Sequence, residues 1–252
     1  MSYALRVALP ALAAAGALAA AHVASAAAPL RVYAAASTKE AMEAVGREFT
    51  KDTGIPVEVS PGPSSKLAKQ IVEGGPAELF LSADQASADY LAEKQLVERR
   101  RNLLGNRLVV VAPAASTLVL QSLADLARAE VAEIALALEK VPAGEYAREA
   151  LRRAGVWERV EGKVIGGEDV RAVIAFVQRG AATGFVYVTD TAGNSRVRTV
   201  LEVDPALHRP IEYALVLVRR APARPEAVRL YDFLLSDKAA DVFRAAKFAV
   251  LR

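Results

Sequence analysis

The sequence predicts an α/β protein made of two doubly wound α/β lobes joined by crossing strands, with a cleft between them. Three observations predict it. Strand and helix patterns alternate three times within about 70 residues after Leu30. A strongly apolar run, Leu108–Ala112, follows where a chain would leave a first lobe of that size, and a second set of strands and helices comes after it. The length of 252 residues is enough for each lobe to bury its own core.

In chain order, Leu30–Ala35 runs apolar like a strand, and Lys39–Thr50 places Ala41, Met42, Val45 and Phe49 at helical spacing. Gly54-Ile55-Pro56 turns into a second strand at Val57–Val59, and Ser65–Glu73 reads as a helix stopped by Gly74-Gly75. Leu79–Leu81 is a short buried strand, followed by a helix over Asp84–Lys94. These alternations imply a mainly parallel first sheet. Beyond the strand at Leu108–Ala112, the pattern gives a helix at Ser122–Arg128, a strand at Ile134–Leu138, and helices at Gly144–Ala154 and Val170–Gln178. Strands at Gly184–Val188 and Ile211–Val218 and amphipathic helix within Pro225–Phe243 complete the series. The last segment is expected to return to the first lobe. The expected division is therefore 1–26 as a leader, 27–107 with 208–252 as the first lobe, and 108–207 as the second.

The leader has the order of a signal peptide: one positive charge at Arg6, an alanine- and leucine-rich run from Val7 to about Ala24, then Ala24-Ser25-Ala26. The run is short and broken by Pro10 and Gly16, which disfavours a membrane anchor, so cleavage after Ala26 is expected. No lipid-modifiable cysteine follows, which predicts a protein free in a periplasm-like space.

Composition excludes several chemistries. Cysteine is absent, so disulfides, thiolate metal sites and cysteine nucleophiles are excluded. Of two histidines, His22 lies in the leader, and His208 alone cannot build a zinc site or more than one member of a triad. The formal charge of +3 does not indicate a nucleic-acid surface, and Arg99-Arg100-Arg101 and Arg219-Arg220 read as solvated faces. No nucleophile elbow, phosphate loop or dinucleotide turn occurs, and no carboxylate pair stands out as catalytic. The chain is expected not to be an enzyme.

What recurs is a hydroxyl or small residue at the start of a helix. Ser37-Thr38 opens the first and Ser64-Ser65 the second, while Pro142-Ala143-Gly144 and Glu168-Asp169-Val170 open two more in the second half. Each start carries free N–H groups and the positive end of a helix dipole, a ready anion site. Taken singly, each is explained by ordinary capping. Together they lie at the C-terminal edges of two sheets, where ligands bind in this architecture, so amides from opposite lobes could converge on one point. Tyr187 ends a strand and could direct its phenol there, though a half-buried strand aromatic is the simpler account.

These residues carry a resemblance. The chain resembles the molybdate-binding proteins of bacterial ABC transporters, within the type II periplasmic binding-protein fold, over essentially the whole chain after the leader. The similarity is carried by Ala34-Ala35-Ala36-Ser37, Ser64 to Ile71, Pro76 to Asp84, Leu104 to Pro113, Val141-Pro142-Ala143-Gly144, Glu168 to Arg171 and Gly184-Phe185-Val186-Tyr187. The resemblance implies that Ser37 and Ser64 contribute hydroxyl and main-chain donors, Ala143 and Val170 their amides, and Tyr187 its phenol. Thr38 and Ser65 are possible additional donors. It further implies molybdate or tungstate as the ligand, no cofactor, no directly bound metal cation, and the membrane permease of an ABC importer as partner to a monomer. The chain departs from the family at Ala137-Leu138-Glu139-Lys140, where a Gly-x-Pro run is usual. Alternatives are a receptor for another tetrahedral oxyanion such as sulfate, an exported hydrolase of phosphate or sulfate esters, and a structural interaction protein.

Overall fold

The computed structural model describes residues 28–181, 183–222 and 224–251. The leader and its expected cleavage after Ala26 lie outside the described residues. β1 (Leu30–Ala35) passes through a 3-10 turn at Ala36–Thr38 into α1 (Lys39–Thr53). The helix buries Ala41, Met42, Val45 and Phe49, the face that the spacing predicts. It stops at Gly54, where φ is 72° and the N–H returns to the Thr50 carbonyl. β2 (Val57–Gly62), α2 (Ser64–Val72), β3 (Leu79–Ser82) and α3 (Gln85–Glu93) follow. β4 (Val97–Gly105) leads directly into β5 (Leu108–Pro113). Next come β6 (Ile134–Ala137), α4 (Pro142–Arg153), α5 (Trp157–Val160), β7 (Val164–Gly167), α6 (Val170–Gln178), β8 (Thr183–Tyr187) and β9 (Val197–Glu202). β10 (Glu212–Val218), α7 (Pro225–Leu234), α8 (Asp237–Ala245) and β11 (Ala249–Val250) close the order.

The strands form two sheets, ordered β11-β4-β10-β3-β1-β2 and β7-β6-β8-β5-β9. Each contains a parallel trio, β2-β1-β3 in one and β7-β6-β8 in the other, as β-α-β connections require. Each trio is extended by antiparallel strands: β10 against β3 and β4, and β5 against β8 and β9. The expectation of a mainly parallel first sheet is thus only half met. β10 returns from the other sheet against the direction of the trio, while β4, antiparallel to β10, runs the same way as the trio. Only Asn106 and Arg107 separate β4 from β5, and the Asn106 N–H donates to the Ile211 carbonyl at 3.1 Å, tying the outward crossing to the returning one.

β4, β7 and β9 were not expected from the pattern. β4 carries Glu98-Arg99-Arg100-Arg101-Asn102, whose charge hides the alternation, and β7 and β9 are half-buried along most of their length. The predicted helix at Ser122–Arg128 is a 3-10 turn, Leu123–Ala127, closed by a capping box between Ser122 and Asp125. Its buried residues, Leu123 and Leu126, stand three apart, the period of that tighter helix. The C-terminal helical region divides at Ser236, whose hydroxyl accepts the Ala239 N–H and starts α8. Arg220 is half-buried rather than solvated, and its guanidinium donates to the Ala77 and Gly75 carbonyls.

Candidate functional site

The parallel strands of both sheets end on one small cavity of about 20 Å³. Ala36 and Ser37 reach it from beyond β1, Gly62, Pro63 and Ser64 from β2 and the start of α2, and Ala83 from beyond β3. From the second sheet come Val141, Pro142 and Ala143 after β6, Asp169 and Val170 after β7, and Tyr187 at the end of β8. Ser37, Ser64, Ala143, Val170 and Tyr187 therefore meet at one place, each under a tenth exposed. Thr38 and Ser65 do not line it. The Thr38 hydroxyl is turned away and donates to the Ala35 carbonyl at 2.7 Å.

Three helices start at this space. α2 begins behind Pro63 and α4 behind Val141, and neither has a side-chain cap, so their first amides lack an acceptor within the helix. Pro142, at the first position of α4, has no N–H to waste, which makes the Ala143 amide that helix's leading donor. At α6 the Asp169 carboxylate accepts from Arg171 N at 2.8 Å and Ala172 N at 3.0 Å, leaving the Val170 amide free of the cap. The departure at Ala137–Lys140 does not displace Ala143 from the cavity lining. Lys140 turns with φ 65°, its N–H bonds the Glu145 carboxylate, and buried Arg148 donates to the Ala137 carbonyl at 2.8 Å. Gly144 is needed there, because a Cβ would lie 2.2 Å from that same carbonyl oxygen.

Three hydroxyls complete the set. Ser64 Oγ accepts the Ala83 N–H at 3.0 Å, and since an amide can only donate, the serine proton remains for another acceptor. Ser37 Oγ lies 2.9 Å from the Tyr213 hydroxyl. Tyr187 Oη is buried and has no hydrogen-bond partner among the described residues. Burial foremost, with the neighbouring phenols and carboxylates adding to it, holds its pKa well above the ordinary tyrosine range, so it is a proton donor throughout the physiological range. Its ring packs edge-on against Tyr146 and Tyr213.

None of the residues lining the cavity is Lys, Arg or His. Arg171 instead donates to the Ala36 carbonyl at 3.3 Å and pairs with Glu40, linking α6 to α1. A larger cavity of about 480 Å³ shares Ser37 and is bordered by this pair, Thr189 and Asp190. Asp190 Oδ2 accepts the Tyr187 N–H at 2.9 Å, while Oδ1 is buried without a partner. Burial raises this carboxyl to about 7, against the lowering effects of the Tyr187 amide and Arg171 and with a further rise from Glu40 and Asp169. Among the described residues no cluster of His, Asp and Glu could hold a metal ion. His208 Nδ1 lies 2.7 Å from the Arg209 carbonyl and its ring stacks edge-on with Tyr146, away from the cavity.

Sequence reasoning missed Ala83, Asp190, Tyr213 and Asn106. Tyr213 is the one polar-tipped residue in the otherwise apolar run Ala214–Val218 that it precedes, and Asn106 sits at the joint of two strands. Both positions are visible signals, but their partners are distant in sequence.

The chain matches the family described as bacterial extracellular solute-binding protein over residues 30–249. It is 36% identical over 233 residues to the molybdate-binding protein ModA of Escherichia coli (strain K12), covering 88% of this chain and 89% of that one. It is also 36% identical over 206 residues to ModA of Haemophilus influenzae, covering 77% and 80%. A solved substrate-binding domain, ascribed to a molybdenum ABC transporter of Clostridium difficile, superposes with a TM-score of 0.71 at 33% identity, covering 89% of this chain and 99% of that one. The Azotobacter vinelandii periplasmic molybdate-binding protein shares the fold with a TM-score of 0.80 at 22% identity, covering 88% and 100%. The two lobes with their crossing strands are those of the type II periplasmic binding-protein fold. With the match running from the first strand to the last, the chain belongs to the bacterial extracellular solute-binding protein family, and it is a receptor, not an enzyme.

Proposed function

We propose that the chain captures a small tetrahedral dianion, molybdate or tungstate, in the cavity between its lobes and delivers it to the membrane permease of an ABC importer. The observation that carries this reading is the convergence of neutral donors from both sheets, the Ser37, Ser64 and Tyr187 hydroxyls and the Ala143 and Val170 amides, on one cavity lined by no cationic side chain. A buried dianion needs every oxygen met by a donor, and charge-assisted bonds to neutral donors supply that without a formal counter-charge. The names of the Escherichia coli and Haemophilus influenzae relatives favour molybdate among the tetrahedral anions. Tungstate is nearly the same size, so little discrimination between the two is expected. Sulfate is smaller and would leave donors poorly paired. In this reading residues 27–107 with 208–252 form one lobe and 108–207 the other, and the protein acts as a periplasmic monomer after cleavage behind Ala26.

Calorimetry on the chain lacking residues 1–26, with molybdate, tungstate, sulfate and phosphate, tests it. Molybdate and tungstate should bind tightly and sulfate weakly. Tight sulfate or phosphate binding without molybdate binding would overturn the ligand assignment, and no response to any oxyanion would overturn the site.

A further inference from the structure

Ser37 Oγ and the Tyr213 hydroxyl are 2.9 Å apart, and either could donate on distance alone. Their surroundings decide it. Tyr213 Oη is also 3.0 Å from Asn106 Nδ2, which in turn lies 2.9 Å from Thr189 Oγ1. An amide nitrogen has two protons and no lone pair to offer, so it donates to both oxygens. The orientation of that amide is fixed in turn, because Asn106 Oδ1 accepts the Arg107 N–H at 2.9 Å, and the reversed amide would set two donors against each other. Tyr213 must therefore accept from Asn106 and spend its single proton on Ser37. Ser37 Oγ accepts, and its own proton is left for the cavity that it lines.

We infer that Asn106 and Tyr213 are positioning residues that make Ser37 an obligate donor, through a one-way chain of hydrogen bonds from Asn106 to Tyr213 to Ser37 to the bound oxyanion. Ser64 is wired the same way from the Ala83 N–H. Ser37 can then only donate, so the ligand oxygen that faces it must accept. Asn106 stands at the crossing between β4 and β5, and its two acceptors belong to opposite sides of that crossing: Tyr213 on β10, and Thr189 in the turn after β8. The polarity of the site is thereby set from the joint between the lobes. Tyr213 is wholly buried and its phenol, raised by burial above all, does not ionise in the physiological range, which keeps the relay intact there.

The inference rests on the oxyanion reading, and a double-mutant cycle read by calorimetry with sodium molybdate separates the two. Tyr213→Phe in the otherwise unaltered chain should weaken molybdate binding by about tenfold, the scale of one hydrogen bond to an anion. In the Ser37→Ala background the same change should weaken it by less than about twofold, because the relay has lost its last member. Asn106→Asp, which offers Tyr213 an acceptor in place of a donor, should weaken molybdate binding more than Asn106→Leu does, and that difference should shrink when Ser37 is Ala. Thermal unfolding of each variant confirms that the comparison is between folded proteins. If Tyr213→Phe and Asn106→Asp cost the same with and without Ser37, the relay is overturned. If the unaltered chain takes up no molybdate, the ligand reading falls and the relay falls with it.

Discussion

The Tyr187 phenol is buried and has no hydrogen-bond partner among the described residues. A stranded hydroxyl of this kind costs about 1–3 kcal/mol, so it persists where a ligand repays it. Tyr187→Phe should accordingly weaken molybdate binding by about tenfold or more while leaving the unliganded protein equally stable or more stable, as paired calorimetric and denaturant titrations would show. Asp190, bonded to the Tyr187 backbone, makes the site sensitive to pH. Its carboxyl is held at about 7 against a reference of 3.8, so the folded chain keeps a proton that the unfolded chain releases. That contribution to stability is complete below about pH 4, declines as the pH climbs towards 7, and is constant above it. Binding should follow the same direction, because an ionised Asp190 repels an anion next to Tyr187. Affinity is expected to fall as the pH passes through about 7, and Asp190→Asn should flatten that profile. An unchanged profile in the variant would remove Asp190 from the account.

Among the elements, α4 shows how closely one backbone is fitted to another. Ala in place of Gly144 would gain about 1 kcal/mol of helix propensity. The added Cβ would meet the Ala137 oxygen at 2.2 Å and the Leu138 oxygen at 2.7 Å, and these are main-chain atoms that cannot rotate away. Overpacking of this sort costs about 1–3 kcal/mol or more, so the clash outweighs the propensity. Gly144→Ala should be destabilised in urea unfolding and should also bind more weakly, since the Ala143 amide moves with the turn. The site was legible in the sequence where it depends on local pattern: a helix opening after a parallel strand announces its own free amides, which brought Ser37, Ser64, Ala143 and Val170 into view, and the family resemblance sorted them from ordinary caps. Asn106 and Tyr213 were not legible, because the bond between them spans 107 residues of chain and that from Tyr213 to Ser37 spans 176. The strands divide on similar grounds. β3, β5 and β8 bury nearly every residue and read as apolar runs, and β1 buries all but Arg31 and Tyr33. β4 carries arginines on both faces, Arg99 paired with Asp232 and Arg100 with Asp89, and its pairing with β10 and β11 marks it as a strand.

For the molecule as a whole, a ligand held by donors from both sheets acts as a bridge between them. At a ligand concentration about a thousandfold above Kd, binding contributes about 4 kcal/mol to stability. In a chain of this size that corresponds to a rise in Tm of about 8–16 °C, so molybdate should shift thermal unfolding by that order and an unbound anion should not. A ligand held on one lobe alone would stabilise that lobe and split the transition in two. The strand order also imposes a timetable on folding. The last member of the β7-β6-β8-β5-β9 sheet ends at Glu202, whereas the other sheet has β10, ending at Val218, in its interior between β4 and β3. A chain emerging N-terminus first can therefore assemble its middle hundred residues while the opening segment still waits for a strand that has not arrived.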